Sequence, residues 1–409
     1  MAGNNAAWPG AGVGSSVRER AGQVEDCELA PKQIESPTAP GVSKRRFRVR
    51  PVRREDVDRL SRMFRQVFRN STGPAHPALS EDIRRLLVDH PDRTDHTASL
   101  VYERDDGDLG GFLGLIPLPM LFGQRPVQAA AFSTWMVEDR ARDPEAGALL
   151  LRAHLKRQLD ATIADTANRM SIEFQLGFGM RFAPAQSLQW VRPLNYAGYA
   201  AAVAMKRAGL AGSRRFVSAA ARTEAVAARL LGRRDASAGK YASLHCSREE
   251  FADAWLALSA PWRLRPNWPA ARVTWMLEQA DRRPSLGPLR LRLVFDESND
   301  LAGCVAYHIG ADRRGVAVSI LARPSHEQGV LLALFADAAA QGAVLLCGPA
   351  DPRLMEGFFR ISGVYYRHTC GAVLTTRDAD VTHAVLAGDG LLGGLVGDSW
   401  TPLATESYP

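Results

Sequence analysis

The sequence lacks several patterns that would assign a chemistry directly. Its five cysteines are odd in number, widely spaced and free of CxxC pairs, which argues against a disulfide framework and against a zinc site. None of its nine histidines forms an HExxH or HxH pattern, and we expect no metal centre. No GxSxG elbow occurs, and Gly177-Phe178-Gly179 lacks the third Gly and the helix of a dinucleotide-binding turn. Serine-hydrolase and nicotinamide-dependent chemistry are therefore excluded as interpretations.

Long apolar runs and a basic-then-apolar N-terminal segment are missing as well, so we expect residence in the cytoplasm. The formal net charge of +7 favours acidic partners such as a phosphorylated cofactor, nucleic acid or an anionic membrane face. Because nearly all the basic residues are arginine, a GC-rich, bacterial-type genome explains the same excess. Charge alone leaves these alternatives open.

The length of 409 residues exceeds what one hydrophobic core usually organises and predicts two domains. Residues 1–44 are rich in Gly, Pro and Ser without periodicity, which predicts a disordered tail. Residues 45–200 form the predicted first domain and residues 239–409 the second. The Ala- and Arg-rich stretch 201–238 between them predicts a basic helical linker, with peripheral membrane contact as the alternative.

Hydrophobic periodicity predicts an α/β fold with mixed sheets in both halves. The first half is predicted to contain a strand, two helices, three strands, a helix over 146–162 and a strand over 170–175. The second half repeats this order from a strand at 241–246 to a strand at 365–375. Because the halves share no residue-level repeat, the tandem arrangement follows from element order alone.

One segment of the first half, AAFSTWMVEDRARDPEAGALLL, carries a family resemblance. Its strand ends in Trp135-Met136-Val137, and residues 142–148 are similar to a Q/R-x-x-G-x-G/A loop with one inserted residue and Ala146 in place of the first Gly. Together with the element order, this segment resembles the cofactor-binding segment of the GNAT acetyltransferase superfamily. The resemblance implies an acetyl-CoA or other acyl-CoA site formed by six residues: Trp135, Val137, Arg142, Ala146, Gly147 and Ala148.

Elementary chemistry supports part of this site, because free amides and the positive dipole end at a helix start attract phosphate. Asp143 and Glu145 argue the other way, since carboxylates at a helix start satisfy the dipole and repel an anion. An ordinary capped helix is therefore the alternative. The corresponding turn of the second half, residues 323–329, has one Gly and an acidic residue and predicts no phosphate loop.

The resemblance also implies a Glu near the central strand and a Tyr beyond the next one as catalytic groups, since amine acetylation needs a base and a proton donor. The candidates are Glu138, at the end of the strand, Glu173 in MSIEFQ, and Tyr196 or Tyr199 in LNYAGY. Glu173 is flanked by Ile172 and Phe174, so in a strand it would point away from them and into the cleft.

The sequence thus predicts an acyl-CoA-dependent N-acyltransferase, of acetyltransferase type, acting on an unidentified small-molecule or cell-envelope acceptor. The degenerate loop supports an alternative, a tandem GNAT-like binding or scaffold protein without catalysis. An aminoacyl-tRNA-dependent transferase, in which two such halves also occur, is a third hypothesis. No specific nucleic-acid partner is predicted, and the oligomeric state is left open.

Overall fold

A computed structural model describes residues 47–207, 217, 219–221, 223, 240–368, 370–406 and 408. The predicted tail and most of the predicted linker lie outside these described residues. Residues Arg45–Pro409 belong to one compact unit. Within the described ranges, no helix has the length and apolar character needed to cross a membrane.

Strands and helices alternate along the described chain, which is the predicted mixed α/β class. The strands are β1 Phe47–Pro51, β2 Leu100–Arg104, β3 Leu109–Phe122, β4 Arg125–Val137, β5 Ala161–Ala167, β6 Arg181–Ala183, β7 Leu188–Pro193, β8 Ala242–His245, β9 Leu264–Pro266, β10 Leu289–Phe295, β11 Leu301–Ile309, β12 Arg314–Ala322, β13 Leu345–Pro349, β14 Tyr365–His368 and β15 Gly371–Thr376. The helices are α1 Val57–Arg69, α2 Pro77–Ile83, α3 Ala146–Leu155, α4 Arg169–Gly177, α5 Tyr196–Arg207, α6 Arg248–Ser259, α7 Ala270–Asp281, α8 Glu327–Ala340, α9 Met355–Phe359, α10 Ala379–Leu386 and α11 Pro402–Thr405.

Two mixed sheets organise these elements, and they exchange strands. The first sheet has the order β1-β2-β3-β4-β5-β15-β6, with β9 pairing with β3, and the second has the order β14-β7-β13-β12-β11-β10-β8. Strand β15, late in the chain, therefore lies between β5 and β6. Strand β7, from the first half, lies between β13 and β14. Sheet membership does not follow the chain boundaries that the sequence predicted for the two halves.

The predicted strand over 170–175 is wrong, because this segment lies in helix α4. The Asn168 side chain accepts a hydrogen bond from the Ser171 amide (2.9 Å) and caps the first turn of this helix. A capping residue of this kind stabilises a helix start by about 1 kcal/mol. The cap overrides the strand propensity of Ile172 and Phe174.

The predicted helix over 146–162 is too long. Helix α3 ends at Leu155, and Gln158 adopts a left-handed backbone with φ of 60°. The chain then enters β5, a central strand that contains the β-branched residues Thr162 and Ile163, which favour extended backbone.

The predicted strand over 365–375 is two strands that belong to different sheets. Strand β14 pairs with β7 at the edge of the second sheet, whereas β15 pairs with β5 and β6 in the first. A continuous run of strand-forming residues cannot show where the chain passes from one sheet to another.

Each exchanged strand lies in the core of the sheet that receives it. Trp190 of β7 is fully buried, packs against Phe335 and Phe358, and donates from its indole Nε1 to the carbonyl of Pro349 (3.0 Å). Val373 of β15 is equally buried in the first sheet. Both sheets therefore depend on a strand from the other part of the chain.

We expect the fragments 45–200 and 239–409 to show no cooperative unfolding when each is produced alone. The first fragment lacks β15, which leaves one edge of β5 unpaired and exposes apolar surface. Urea unfolding followed by circular dichroism measures this, and the uncut 45–409 chain is the control. Cooperative unfolding of the isolated 45–200 fragment would contradict the dependence on β15.

Candidate active site

The loop between β4 and α3 is held by a buried network of ion pairs. Arg104 donates from Nε and Nη2 to Oδ2 of Asp143 (2.9 and 2.7 Å), and Nη2 also donates to Glu138 (3.1 Å). Arg59 donates to the other oxygen of Glu138 (2.5 Å). A Cβ at Gly110 would lie 2.8 Å from Asp143 Oδ2, so only glycine leaves room for this pair. The negative charge of Asp143 is thereby paired with Arg104.

The start of α3 keeps backbone amides available. Glu145 occupies the N-cap position without a side-chain cap, and the Ala146 amide donates to the carbonyl of Asp143 (3.2 Å). In the described part of the chain, the amides of Gly147 and Ala148 meet no acceptor. Unpaired amides and the helix dipole together form a favourable environment for an anion.

A pocket of about 340 Å³ opens over this helix start. The end of β4 and α4 form its walls, where Trp135 and Phe174 pack edge to face at 5.2 Å between ring centroids. Trp135 Nε1 is buried and has no hydrogen-bond partner in the described chain. Arg140 adds a positive charge at the rim. The pocket thus combines an anion-binding end with aromatic walls and an unused donor.

Strands β4 and β5 part beside this pocket. They pair in parallel over only three positions, from Ala129↔Ala161 to Ala131↔Ile163. Past this point each of the two strands contains a bulge. Residues 133 and 134 of β4 lie opposite one residue of β3, and residues 165 and 166 of β5 lie opposite one residue of β15. Bulges of this kind redirect side chains and are frequent next to active sites.

The residues at these two bulges line a cavity of about 620 Å³ between the sheets. Ser133 and Thr134 of β4 and Asp165 and Thr166 of β5 form one wall, and residues of β12 and of the C-terminal segment 398–405 form others. Trp135, the next residue of β4, already faces the smaller pocket. Consecutive residues of one strand therefore connect the two spaces, and the larger one has a volume ordinary for a small-molecule site.

Two carboxyl groups meet at the wall of this cavity. The Asp398 amide donates to Asp165 Oδ1 (2.8 Å), and the Thr166 hydroxyl donates to Asp398 Oδ1 (2.6 Å). Burial, and then the neighbouring Asp165 carboxylate, raise the pKa of Asp398 well above its usual range. Beside the Asp165 carboxylate, the charged form of Asp398 is therefore disfavoured.

The structure brings four of the predicted cofactor residues into one place. Trp135, Val137, Gly147 and Ala148 all line the pocket over α3. The remaining two, Ala146 and Arg142, lie beside the pocket in other roles. Ala146 is fully buried in the core beneath the helix start, and the Arg142 side chain donates to Asp106 (3.1 Å).

The predicted catalytic residues are not brought together. Glu173 lies on α4, not on a strand, and forms an exposed ion pair with Arg169 (2.8 Å). Both carboxylate oxygens of Glu138 are occupied by arginines. Tyr196 is half exposed at the start of α5 and, with Tyr199, lines a separate pocket on the second sheet.

The sequence predicts neither Asp165 nor Asp398 as a site residue. Asp165 is a carboxylate inside the segment ATIADTA, but this segment begins within the predicted helix over 146–162. No local pattern links it to Asp398, which lies 233 residues away along the chain. Only the folded chain places the two groups in contact.

Comparison with known proteins identifies the fold. No protein-family model matches the sequence, and no curated protein matches it significantly. A GCN5-related N-acetyltransferase from Kribbella flavida matches with a TM-score of 0.53 at 15% identity, covering 82% of this chain and 72% of that one. A probable N-acyltransferase from Enterococcus faecalis matches at 0.52 and 10%, covering 81% and 72%.

A GCN5-related N-acetyltransferase from Anabaena variabilis also matches at 0.52, with 11% identity over 81% of this chain and 73% of that one. The resemblance seen in the sequence is therefore confirmed at the level of fold. At these identities the likeness carries the fold alone, and the activity has to be argued from the site.

We expect Gly397→Ala to lower the free energy of unfolding by about 1–3 kcal/mol. A Cβ at this position would lie 1.9–2.4 Å from the carboxylate atoms of Asp165. Gly393→Ala, in the same segment, is the matched control, because its nearest neighbour would be 4.0 Å away. Urea denaturation of both variants tests the contact. Equal stabilities would show that Asp165 does not pack against Gly397.

We expect the contribution of Asp398 to the stability of the protein to fall as the pH rises above about 4, because Asp398 ionises. The folded pKa of Asp398 is raised, so between the unfolded and folded pKa values the unfolded state binds fewer protons. The loss amounts to about 1.4 kcal/mol per pH unit over that window.

Asp398→Asn removes this dependence. In urea titrations between pH 4 and pH 8, the free energy of unfolding of the variant should rise, relative to that of the parent protein, as the pH increases. Exposed Asp105→Asn is the control. A stability difference between Asp398→Asn and the parent that stays constant with pH would show that Asp398 ionises normally.

Proposed function

We propose that this chain, which has the fold of GCN5-related N-acetyltransferases, is an acyl-CoA-dependent N-acyltransferase. One observation carries the proposal: β4 and β5 separate between an anion-binding helix start and a cavity that contains a carboxyl pair. The fold likeness leaves the activity open, so the proposal depends on this juxtaposition. An acyl donor and an acceptor must bind in two spaces that meet where the acyl group is transferred. Strand β4 lines both the smaller pocket and the cavity.

The donor is acetyl-CoA or a longer acyl-CoA, with its phosphates at α3. The Gly147 and Ala148 amides supply donors, and Arg140 supplies a positive charge. The pairing of Asp143 with Arg104 supports this assignment, because it removes the carboxylate repulsion expected from the sequence. Trp135 offers a buried N–H for a polar group of the pantetheine arm, which would pass between β4 and α4. The thioester is the activated acyl group that the reaction consumes.

The acceptor is an amine of small-molecule size bound in the 620 Å³ cavity. An ammonium group must lose a proton before it can attack a carbonyl carbon, and the Asp165–Asp398 pair is the base in this proposal. A pair that shares one proton still carries one negative charge, which attracts the ammonium and then accepts its proton. Glu138 holds the loop through Arg59 and Arg104, and this proposal gives it no proton-transfer role.

Acetyl-CoA and free CoA should each raise the melting temperature of the protein, because a ligand that binds only the folded state stabilises it. We expect Gly147→Trp to abolish this shift by filling the pocket. Gly147→Ala is the matched control: its Cβ would lie 3.6 Å or more from Val137 and Trp135, so the shift should be kept.

The result has two informative failures. No shift with acetyl-CoA, CoA or longer acyl-CoAs would contradict the enzyme and favour a binding protein without catalysis. A shift that survives Gly147→Trp would place the donor elsewhere on the chain.

A further inference from the structure

Five arginines are buried in the described chain, and one of them differs from the rest. Four pair with a carboxylate: Arg50 with Asp56 (2.7 Å), Arg104 with Asp143 (2.7 Å), Arg272 with Asp92 (2.5 Å) and Arg292 with Asp337 (2.9 Å). Arg283 is the most buried of the five, at 1% exposure, and no described carboxylate lies within ion-pair distance of it. The other four buried arginines follow the rule that a buried charge is paired with an opposite charge.

Arg283 lines the central cavity and is fixed there by neutral partners. Its Nε donates to the Thr405 hydroxyl (2.9 Å) and its Nη1 to the carbonyl of Trp400 (3.3 Å). Burial lowers the pKa of Arg283 to about 10. The charge of Glu406 acts on Arg283, but its carboxylate oxygen Oε1 accepts hydrogen bonds from Ser285 instead. The guanidinium is oriented by these partners, and none of the described residues gives it a direct counter-ion.

A second arginine of the same cavity shares this property. Arg314, at the start of β12, donates from Nη2 to the sulfur of Cys347 (3.5 Å). Its Nε is buried and has no hydrogen-bond partner in the described chain. The nearby Asp312 accepts a hydrogen bond from the Arg314 backbone amide (3.0 Å), and no described carboxylate forms an ion pair with its guanidinium.

We propose that the acceptor is a zwitterionic amine, whose ammonium group binds the Asp165–Asp398 pair and whose carboxylate or phosphate binds Arg283 and Arg314. This inference rests on the proposed function and narrows its substrate class. A buried cation without a counter-ion is costly, and a ligand anion supplies the missing partner. Arginine is also the side chain best suited to bind carboxylate or phosphate in a planar, two-point contact.

Matched pairs of amines that differ by one anionic group test the inference. Phenylalanine is compared with phenethylamine for a carboxylate, and phosphoethanolamine with ethanolamine for a phosphate. Acetyl transfer from acetyl-CoA is followed through the released CoA thiol. We expect the anionic member of at least one pair to show a kcat/KM about 10-fold or more higher, as hydrogen bonds to charged groups imply. The pair that responds identifies the anion.

Arg314→Met should bring this ratio close to 1 while the melting-temperature shift with acetyl-CoA is kept. Arg360→Met, an exposed residue paired with Glu356, is the control and should leave the ratio unchanged. If the two cavity arginines serve only to hold the structure, Arg283 through Trp400 and Thr405 and Arg314 through Cys347, Arg314→Met lowers stability but keeps the ratio. That result would overturn the inference.

Failure of the proposed function gives a different result, since acetyl-CoA then produces no thermal shift at all. If the protein binds CoA but acetylates none of the four amines, the same pairs are titrated into the CoA complex and their dissociation constants are compared by calorimetry. Tighter binding of an anionic member, lost in Arg314→Met, supports the zwitterionic acceptor. Equal or absent binding within both pairs overturns it.

Discussion

The pairing between β15 and β5 is the constraint on which the candidate site depends. Strand β5 shares only three ladder positions with β4, and a strand held so briefly would not keep its place in a sheet. Its antiparallel partner β15 secures it from the other side over most of its length. The first sheet can therefore open between β4 and β5 without losing β5. The cavity and its access from the smaller pocket lie at this opening.

The charge distribution at the start of α3 differs from that in the central cavity. Around α3, arginines neutralise the carboxylates of the loop and leave the helix start positive. In the central cavity the reverse holds, because two carboxyl groups lie in contact and two arginines form no ion pair with a described carboxylate. Interior charges left in this state destabilise a fold unless something compensates them. We therefore interpret these uncompensated charges as groups that serve ligand binding and not the stability of the fold.

Local patterns predicted the mixed α/β class and most strands of both sheets. The family resemblance implied Trp135, Val137, Gly147 and Ala148, which line the smaller pocket. These features depend on residues close together in sequence, where periodicity and turn chemistry are informative. The sequence failed at α4, where one capping asparagine outweighed strand propensity. It also failed at Asp165 and Asp398, because long-range contacts leave no trace in a single sequence. The exchange of β7 and β15 was missed for the same reason.

Strand exchange also affects how the protein is made. Strand β5 ends at Ala167 and β15 begins at Gly371, so the ribosome adds about 200 residues before the first sheet can be completed. At 5–20 residues per second, this interval lasts roughly 10–40 s. During this interval the apolar side chains of β5 lack their contacts with β15, and chaperones bind exposed apolar surface of this kind. The feature that opens the space between β4 and β5 thus leaves the first sheet of the newborn chain incomplete until its last strands emerge.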